Sequence, residues 1–387
     1  MPPLFTYNQG GTREDLSDVY EMLVEKVDDC VKAFSTKQDV AEDTTHKWVE
    51  GELGSNVSST AAGGSAATAG SSVSVAVATG DGTKFRVGTL FRIAGMGARG
   101  GGYYRVTAIS GNTLTCIAGP DGVDCPAYAN GAAIQIIAHP ALENATVSNT
   151  ARTQDVIRTV AYNYTQIFFD YAEVTRTQEV VRKAGVTSEI AEQVEAKVKN
   201  MIRQMDASII MGVRSATVGS ASIPRMMGGL NYFLYNPNDP SDTNCVDASG
   251  AAISIALINR VAREIFADGG NPDVFVAHPL QKQKISQLYV GYLDIPHGYK
   301  EVGESVDTIL TDFGRVRIIM DNQCPRDRVF MVDSSRVRFK PLRGQSMYME
   351  SVPPNGLVLQ KFIAGEYTLE VQNGTKAHGA LYNLSTS

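Results

Sequence analysis

Hydrophobic and polar positions along this chain follow two periods, and the switches between them divide it. Over 187–212, TSEIAEQVEAKVKNMIRQMDASIIMG, residues Ile190, Val194, Val198, Met201, Ile202, Met205 and Ile209 recur at helical spacing. Glu192, Glu195, Lys197, Lys199 and Arg203 occupy the other faces. Thr187 or Ser188 can cap the start, Glu189 suits the first turn and Gly212 can end it. Glu195 and Lys199 make a favourable i,i+4 pair. A second helical stripe over 12–34 holds Leu16, Val19, Tyr20, Leu23, Val27, Cys30 and Phe34. A third, about 251–267, carries Ile255, Leu257, Ile258, Val261, Ile265 and Phe266, and a short helix is expected over 280–290.

From about 72 to 139 the period becomes two. Val73, Val75 and Val77 alternate with small residues, and KFRVGTLFRIAG, GYYRVTAISGNTLTCIAG and AAIQIIAH read as strands. Turns fall at Gly80-Asp81-Gly82, Gly111-Asn112 and Asp121-Gly122. This predicts a compact all-β insert, a small barrel. Leading into it, SNVSSTAAGGSAATAGSSVSVAVATGDG is Ser/Ala/Gly-rich and nearly uncharged, the composition of a linker or a weakly ordered strand entry. After Pro140, the run ENATVSNTARTQDVIRTVAYNYTQIFFDYAEVTRTQEVV predicts long strands with aromatics at Tyr162, Tyr164, Phe168, Phe169 and Tyr171, which suit packing in a hairpin. NPDVFVAHP reads as a buried strand, and RVRIIMD, DRVFMVD, VRFKPLR, GLVLQKFI and EYTLEVQ as further strands. The class is α+β.

At 387 residues, 43% hydrophobic and 20% charged, the chain is long enough for two or three folded domains. Its formal charge of -6 argues against a dedicated nucleic-acid binder, which carries a basic stripe. No apolar run reaches membrane-spanning length, so no membrane partner is expected; MPPLFTYNQGGTRED lacks the regions of a signal peptide, which points to a cytoplasm. Cys30, Cys116, Cys125, Cys245 and Cys324 are then expected as free thiols, although Cys116 and Cys125 flank a Gly-Pro-Asp-Gly turn and could pair after lysis. The five histidines, His46, His139, His278, His297 and His378, lack metal-ligand spacing.

Gly95-Met-Gly97-Ala-Arg-Gly100 matches G-x-G-x-x-G by letter, but a strand follows it, so no helix N-terminus meets a phosphate. His278 ends an apolar strand and reads as structural; Glu192 and Glu195 lie on a solvated helix face. No nucleophile, acid and base come together. No enzyme, catalytic residue, cofactor or metal is expected.

The order of features resembles the major capsid proteins of tailed bacteriophages with the Hong Kong 97-type fold, in the branch with a β insertion in the extended loop. The passages that carry it are HKWVEGELG, then YNYTQIFFDYAEVTRTQEVV with Asn163, Thr165, Gln166 and Thr175, the helix ending ASIIMGV, RMMGGL, PDVFVAHP and GEYTLEVQNGTKAHGALYNL. The resemblance implies an N-terminal arm over 1–34, an extended loop over 35–53 and 140–175, and an insertion domain over 54–139. It also implies a peripheral domain with the spine helix over 176–229 and 337–387, and an axial domain over 230–336. The expected function is self-assembly, as hexamers and pentamers, into an icosahedral head shell around double-stranded DNA. Expected partners are further copies of the chain, a portal, a scaffold or decoration protein, and the genome, touched without sequence preference by arm residues such as Arg13, Lys26 and Lys32. No lysine–asparagine crosslink is expected. Two alternatives stand: an encapsulin-like bacterial compartment, and a hydrolytic enzyme using the insert as a binding module.

Overall fold

The computed structural model describes residues 29–35, 39–51, 56–95, 100–140, 143, 158–181, 188–235, 244–289, 307–353 and 356–386. They fall into two compact units, Val49–Thr159 and, around it in sequence, Met1–Trp48 with Val160–Ser387. Helix α1 (Asp29–Phe34) and strand β1 (Thr45–Gly51) come first; the rest of the expected 12–34 helix lies outside the described residues.

The smaller unit is all-β: β2 (Val57–Ser59), β3 (Ser72–Ala76), β4 (Leu90–Ala94), β5 (Gly101–Ser110), β6 (Thr113–Ala118) and β7 (Ala133–Ala138). Their order is β2-β7-β4-β5-β6-β3. The two ends of that order meet, because Thr60 bridges Val77 and flanking amides bond Ala61 to Ala76 and Ala78 to Ser59, each at 2.9 Å. The sheet therefore closes as the barrel that period-two patterning predicts, and closure removes exposed sheet edges. Val75, Phe91, Ile93, Tyr104, Val106, Leu114 and Ile134 fill its interior, with Phe91 stacked on Tyr104 at 5.6 Å.

Of the two readings of the Ser/Ala/Gly stretch, strand entry holds and linker does not: it supplies β2 and β3, and Gly64 and Ala67 bridge Tyr128 and Cys125. Its small residues are needed for close approach, since a Cβ on Gly64 would lie 2.3 Å from the Tyr128 ring. One expectation fails, because KFRV is not a strand; Asp81–Lys84 forms a 3-10 turn closed by a Lys84–Asp81 ion pair at 2.9 Å, and pairing starts at Leu90. The G-x-G-x-x-G letters do join two strands, β4 and β5, although residues 96–99 lie outside the described set.

In the larger unit β8 (Arg158–Tyr164) pairs with β1, and β9 (Gln166–Thr175) follows. Then come α2 (Arg176–Val180), α3 (Glu189–Met211), α4 (Leu230–Leu234), β10 (Cys245–Asp247), α5 (Ile255–Ala267), β11 (Val274–Ala277) and α6 (Pro279–Tyr289). The C-terminal part adds β12 (Thr308–Thr311), β13 (Gly314–Met320), β14 (Val329–Val332), β15 (Val337–Pro341), β16 (Tyr348–Val352), β17 (Val358–Val371), α7 (Gly374–Ala377) and β18 (Gly379–Tyr382).

The long helix starts and stops where its caps dictate. The Ser188 side chain accepts the Ala191 N–H, and Gly212 closes the last turn onto Ser208. Glu195 and Lys199 pair at 2.6 Å as expected. Met201, Met205, Ile209 and Ile210 are buried, while Ile202 is only half-buried. The expected third helix begins later, at Ile255, because Ser254 caps it by accepting the Leu257 N–H. RTQEV, expected as strand, is the helix α2, capped by the Thr175 hydroxyl on the Gln178 N–H; the Thr-x-x-Gln spacing is a capping-box signal that period-two reading overrode.

Six strands form a mixed sheet, β10-β18-β14-β11-β13-β12, with one face packed on α5 and α6 and the other on α1, α3 and α4. A second sheet centres on β17, which pairs with β9 on one edge and with β15 and β16 on the other. GLVLQKFI and EYTLEVQ are thus one strand of 14 residues rather than two.

RMMGGL holds the end of α3 against α4. A Cβ on Gly229 would lie 2.5 Å from the Ser208 carbonyl oxygen and 2.7 Å from the Gly212 nitrogen. Both contacts are with backbone, so no side chain can move aside. Gly229→Ala is expected to destabilise the chain by ~2 kcal/mol or more through overpacking; a urea melt with an unchanged midpoint would refute the contact.

Candidate assembly surface

The β17 sheet has two unlike faces, set by register. On β9, Phe168, Ala172 and Val174 are buried and Asp170 meets Lys197 of α3 at 3.2 Å, so this side faces the long helix. The alternate residues Ile167, Phe169 and Tyr171 are exposed by 58, 58 and 54%. Cross-strand pairing extends that outward row: Phe169 lies opposite Ala364, which lies opposite Tyr348, and Tyr171 opposite Phe362, which lies opposite Glu350. Phe362 sits 6.0 Å from Phe169 and 6.1 Å from Tyr348, ring centre to ring centre. The result is an aromatic patch open to solvent, the kind of surface that marks a binding face. Ile167 continues it into a pocket of about 370 Å³ lined also by Val218, Gly219, Ser220, Ile223, Pro224 and Arg225. Tyr164 and Phe168 pack inside as expected, but Phe169 and Tyr171 do not.

Behind this face, polar side chains bind the strands to their surroundings. Asn163 is fully buried, and its amide donates to the Gly228 carbonyl at 3.0 Å and the Leu369 carbonyl at 2.7 Å. Its oxygen accepts the Gly228 and Tyr164 N–H groups at 2.8 and 3.0 Å. Thr165 donates to Glu366, which Arg225 pairs at 2.7 Å, and the Gln166 oxygen accepts the Met227 N–H at 3.1 Å. Thr175 caps α2. All four polar residues singled out in the sequence are therefore structural fasteners. Arg214 lies 4.0 Å over the Tyr162 ring and 5.0 Å over Tyr232, and Trp48 packs 5.7 Å from Phe233.

A charged network was not legible beforehand. Lys340 pairs with Glu370 at 2.6 Å and with Asp39 at 3.5 Å, Arg338 reaches Asp39 at 3.2 Å, and His46 lies 2.9 Å from Glu370. Burial alone would raise the Glu370 carboxyl, but hydrogen bonds from His46 and Lys340, the Lys340 charge and the Gln372 amide bring it down to about 2. His46 lies 324 residues from Glu370, so no local spacing could have revealed their contact.

Cys30, Asp206 and Asp321 bring a thiol and two carboxylates within 4.8 Å of one another, all buried. Asp206 accepts the Val31 N–H at 2.8 Å and so ties α1 to α3. Burial first, then the Asp321 charge, holds the Cys30 thiol well above its ordinary range. The set fastens a helix junction. The five cysteines are free, with Cys116 and Cys324 both pushed by burial to about 12. His278 accepts the Leu280 N–H at 3.1 Å, a structural role. Arg13 and Lys26 lie outside the described residues, and Lys32 is exposed on α1.

His378 supplies a pH dependence. Its ring is fully buried, accepts the Asp333 N–H at 3.1 Å and faces the Gln372 carbonyl at 3.2 Å. Burial, only partly offset by that carbonyl and nearby carboxylates, lowers it from 6.5 to about 4. Between those values the unfolded chain binds the extra proton, so stability is full above pH 6.5 and falls as pH drops toward 4. At 1.36 kcal/mol per unit the loss is ~3 kcal/mol. Thermal melts should show this decline, with a shallower slope in His378→Gln; the Glu370 contribution is lost only below its ordinary value of 4.5. Equal slopes in both proteins would contradict the assignment.

No curated protein matches the sequence. Among solved structures, that of Mycobacterium phage Cain is similar with a TM-score of 0.52 at 10% identity, over 100% of this chain and 99% of that one. The capsid of a native GTA particle is similar with a TM-score of 0.52 at 10% identity, covering 98% of each chain. The cyanophage A-1(L) capsid chain gives 0.50 at 10% identity over 65% of this chain and 85% of that one. These likenesses establish a mixed α/β fold shared with capsid subunits. The family model of the SU10 major capsid protein, a structural component of the virion, matches residues 4–385. The chain belongs to the SU10 major capsid protein family and is a head-shell subunit of a tailed phage.

Proposed function

We propose that this chain assembles with its own copies, as hexamers and pentamers, into the icosahedral shell that encloses a double-stranded DNA genome. Assembly takes place in the host cytoplasm, with a portal and a scaffold or decoration protein as further partners. The fold is of the Hong Kong 97 type, with arm 1–34, extended loop 35–53 and 140–175, insertion domain 54–139, peripheral domain 176–229 and 337–387, and axial domain 230–336. The mixed sheet built around β11 forms the axial core, with β18 contributed from the C-terminal segment. The observation that carries this reading is the outward aromatic row of Phe169, Tyr171, Phe362 and Tyr348, a surface left for another protein to cover. An encapsulin-like compartment has no comparable support, because the matching family is a phage capsid protein along nearly the whole chain.

Electron microscopy of the purified chain should show closed shells. Phe169→Ser with Tyr171→Ser should leave the melting temperature of the free subunit within a few degrees, as for exposed sites, yet depress shell yield strongly. Unaltered yield would remove the aromatic row from the interface.

We further propose that the barrel clamps neighbouring capsomers. It carries few charges, among them Asp81, Lys84, Arg86, Arg92, Arg105, Asp121 and Asp124. Deleting about 55–140 should lower the heat resistance of particles; full yield and unchanged heat resistance would count against a clamping role.

A further inference from the structure

The mixed sheet ends in two short strands, β10 at one side and β12 at the other, whose outer edges have no strand partner among the described residues. An unpaired edge is a template for strand addition. Strand directions follow from the pairings: β11, β13, β18 and β10 run one way, and β12 and β14 run the other. Copies placed side by side by rotation about an axis along the strands would bring β12 of one against β10 of the next. That contact is antiparallel, the more favourable pairing.

Side chains at the two edges match. Ile309 and Val316 point into the core beneath α5 and α6, so Thr308, Leu310, Arg315 and Arg317 share the opposite face. Leu310 is 77% exposed, and both arginines are exposed. At the other edge Val246 points into the same α5-side core, which puts Asp247, also exposed, on the face shared by the two arginines. No ion pair to Arg315, Arg317 or Asp247 is formed among the described residues. Arg315 and Arg317 stand on β13, one strand inside the β12 edge, and Asp247 stands on the β10 edge, so cations and carboxylate lie near opposite ends of the sheet on one side of it.

We propose that the β12 edge of one copy receives the β10 edge of the next, with the long side chains of Arg315 and Arg317 on β13 reaching across β12 toward the neighbour's Asp247, so that the sheet runs on from subunit to subunit around a ring. The contact is heterologous, and such contacts close into rings when the rotation permits. β10 has three residues, so each junction is small and depends on repetition around the ring. This inference rests on the shell-forming function proposed above and adds which edges meet.

Charge exchange tests it. Arg315→Glu with Arg317→Glu should cut ring and shell yield about tenfold, a change worth ~1.4 kcal/mol, while the free subunit melts as the parent does. Asp247→Asn, which keeps the side-chain hydrogen bonds to Ser249 and Asn383, should weaken assembly more mildly. Adding Asp247→Arg to the arginine double variant should restore yield. Independently of any variant, hydrogen exchange on parent shells should show residues 245–247 and 308–311 protected relative to free subunits. Normal yield in the double variant, failure of the triple variant to recover while it still folds, or unprotected edges in intact shells would each overturn the pairing. Loss of DNA retention with normal shells would overturn it too, by making the arginines a polyanion contact. A parent chain that forms no rings or shells would instead strike at the proposed function itself.

Discussion

Strand β17 sets the terms for the rest of the larger unit. It must satisfy ladder partners on both edges, β9 along one and β15 with β16 along the other. Its side chains alternate between the core under α3 and the outward face. A shift of one residue would turn every side chain over. Phe362 would enter the core and Ile363 leave it. Polar residues make that slip costly, since Thr368 bonds the Tyr164 carbonyl at 3.1 Å and the Leu369 carbonyl is held by Asn163. Each such bond contributes ~1 kcal/mol when made, and a stranded buried partner costs more. Register is therefore defended by hydrogen bonds as well as by burial.

How much of this could be seen in advance depended on range. The long helix and the barrel strands are announced by short-period patterns, and the buried strand β11 by a continuous apolar run instead. Even there the caps at Ser188 and Ser254 set the boundaries more sharply than the hydrophobic stripe does. Strands β10, β12, β16 and β18 were not anticipated. They have three to five residues, too few for periodicity to register, and become strands because neighbours offer ladder partners. The stretch leading into the barrel left linker and strand entry open for a related reason. Small uncharged residues look unstructured by composition, yet Gly64 is small because Tyr128 lies against it.

The candidate surface was half legible. The aromatic cluster on β9 stood out, but alternation by itself does not say which of Phe168 and Phe169 faces water; the packing of α3 decides that. The resemblance to capsid proteins supplied the functional frame, and Asn163, Thr165, Gln166 and Thr175 proved to matter as fasteners rather than as contact residues. The Lys340–Glu370–His46 network and the Cys30–Asp206–Asp321 junction unite residues far apart in sequence, beyond the reach of single-chain reasoning.

Polarity in this molecule runs against the usual distribution in both directions. Asn163, Thr165, Thr368 and Glu370 are inside, whereas Phe169, Tyr171 and Leu310 are outside. For an isolated soluble protein both choices lower stability or solubility, because buried polar groups lose water and exposed rings order it. In a repeating shell the balance changes. The interior groups keep thin sheets in one register without a thick core, so each copy presents the same edges. The exposed apolar groups are then surface that a neighbour can cover, and a gain made at one contact repeats with every copy added. Rigidity inside each subunit and incompleteness at its surface are thus two sides of one requirement: many weak contacts sum to a stable shell only when every copy offers them in the same place.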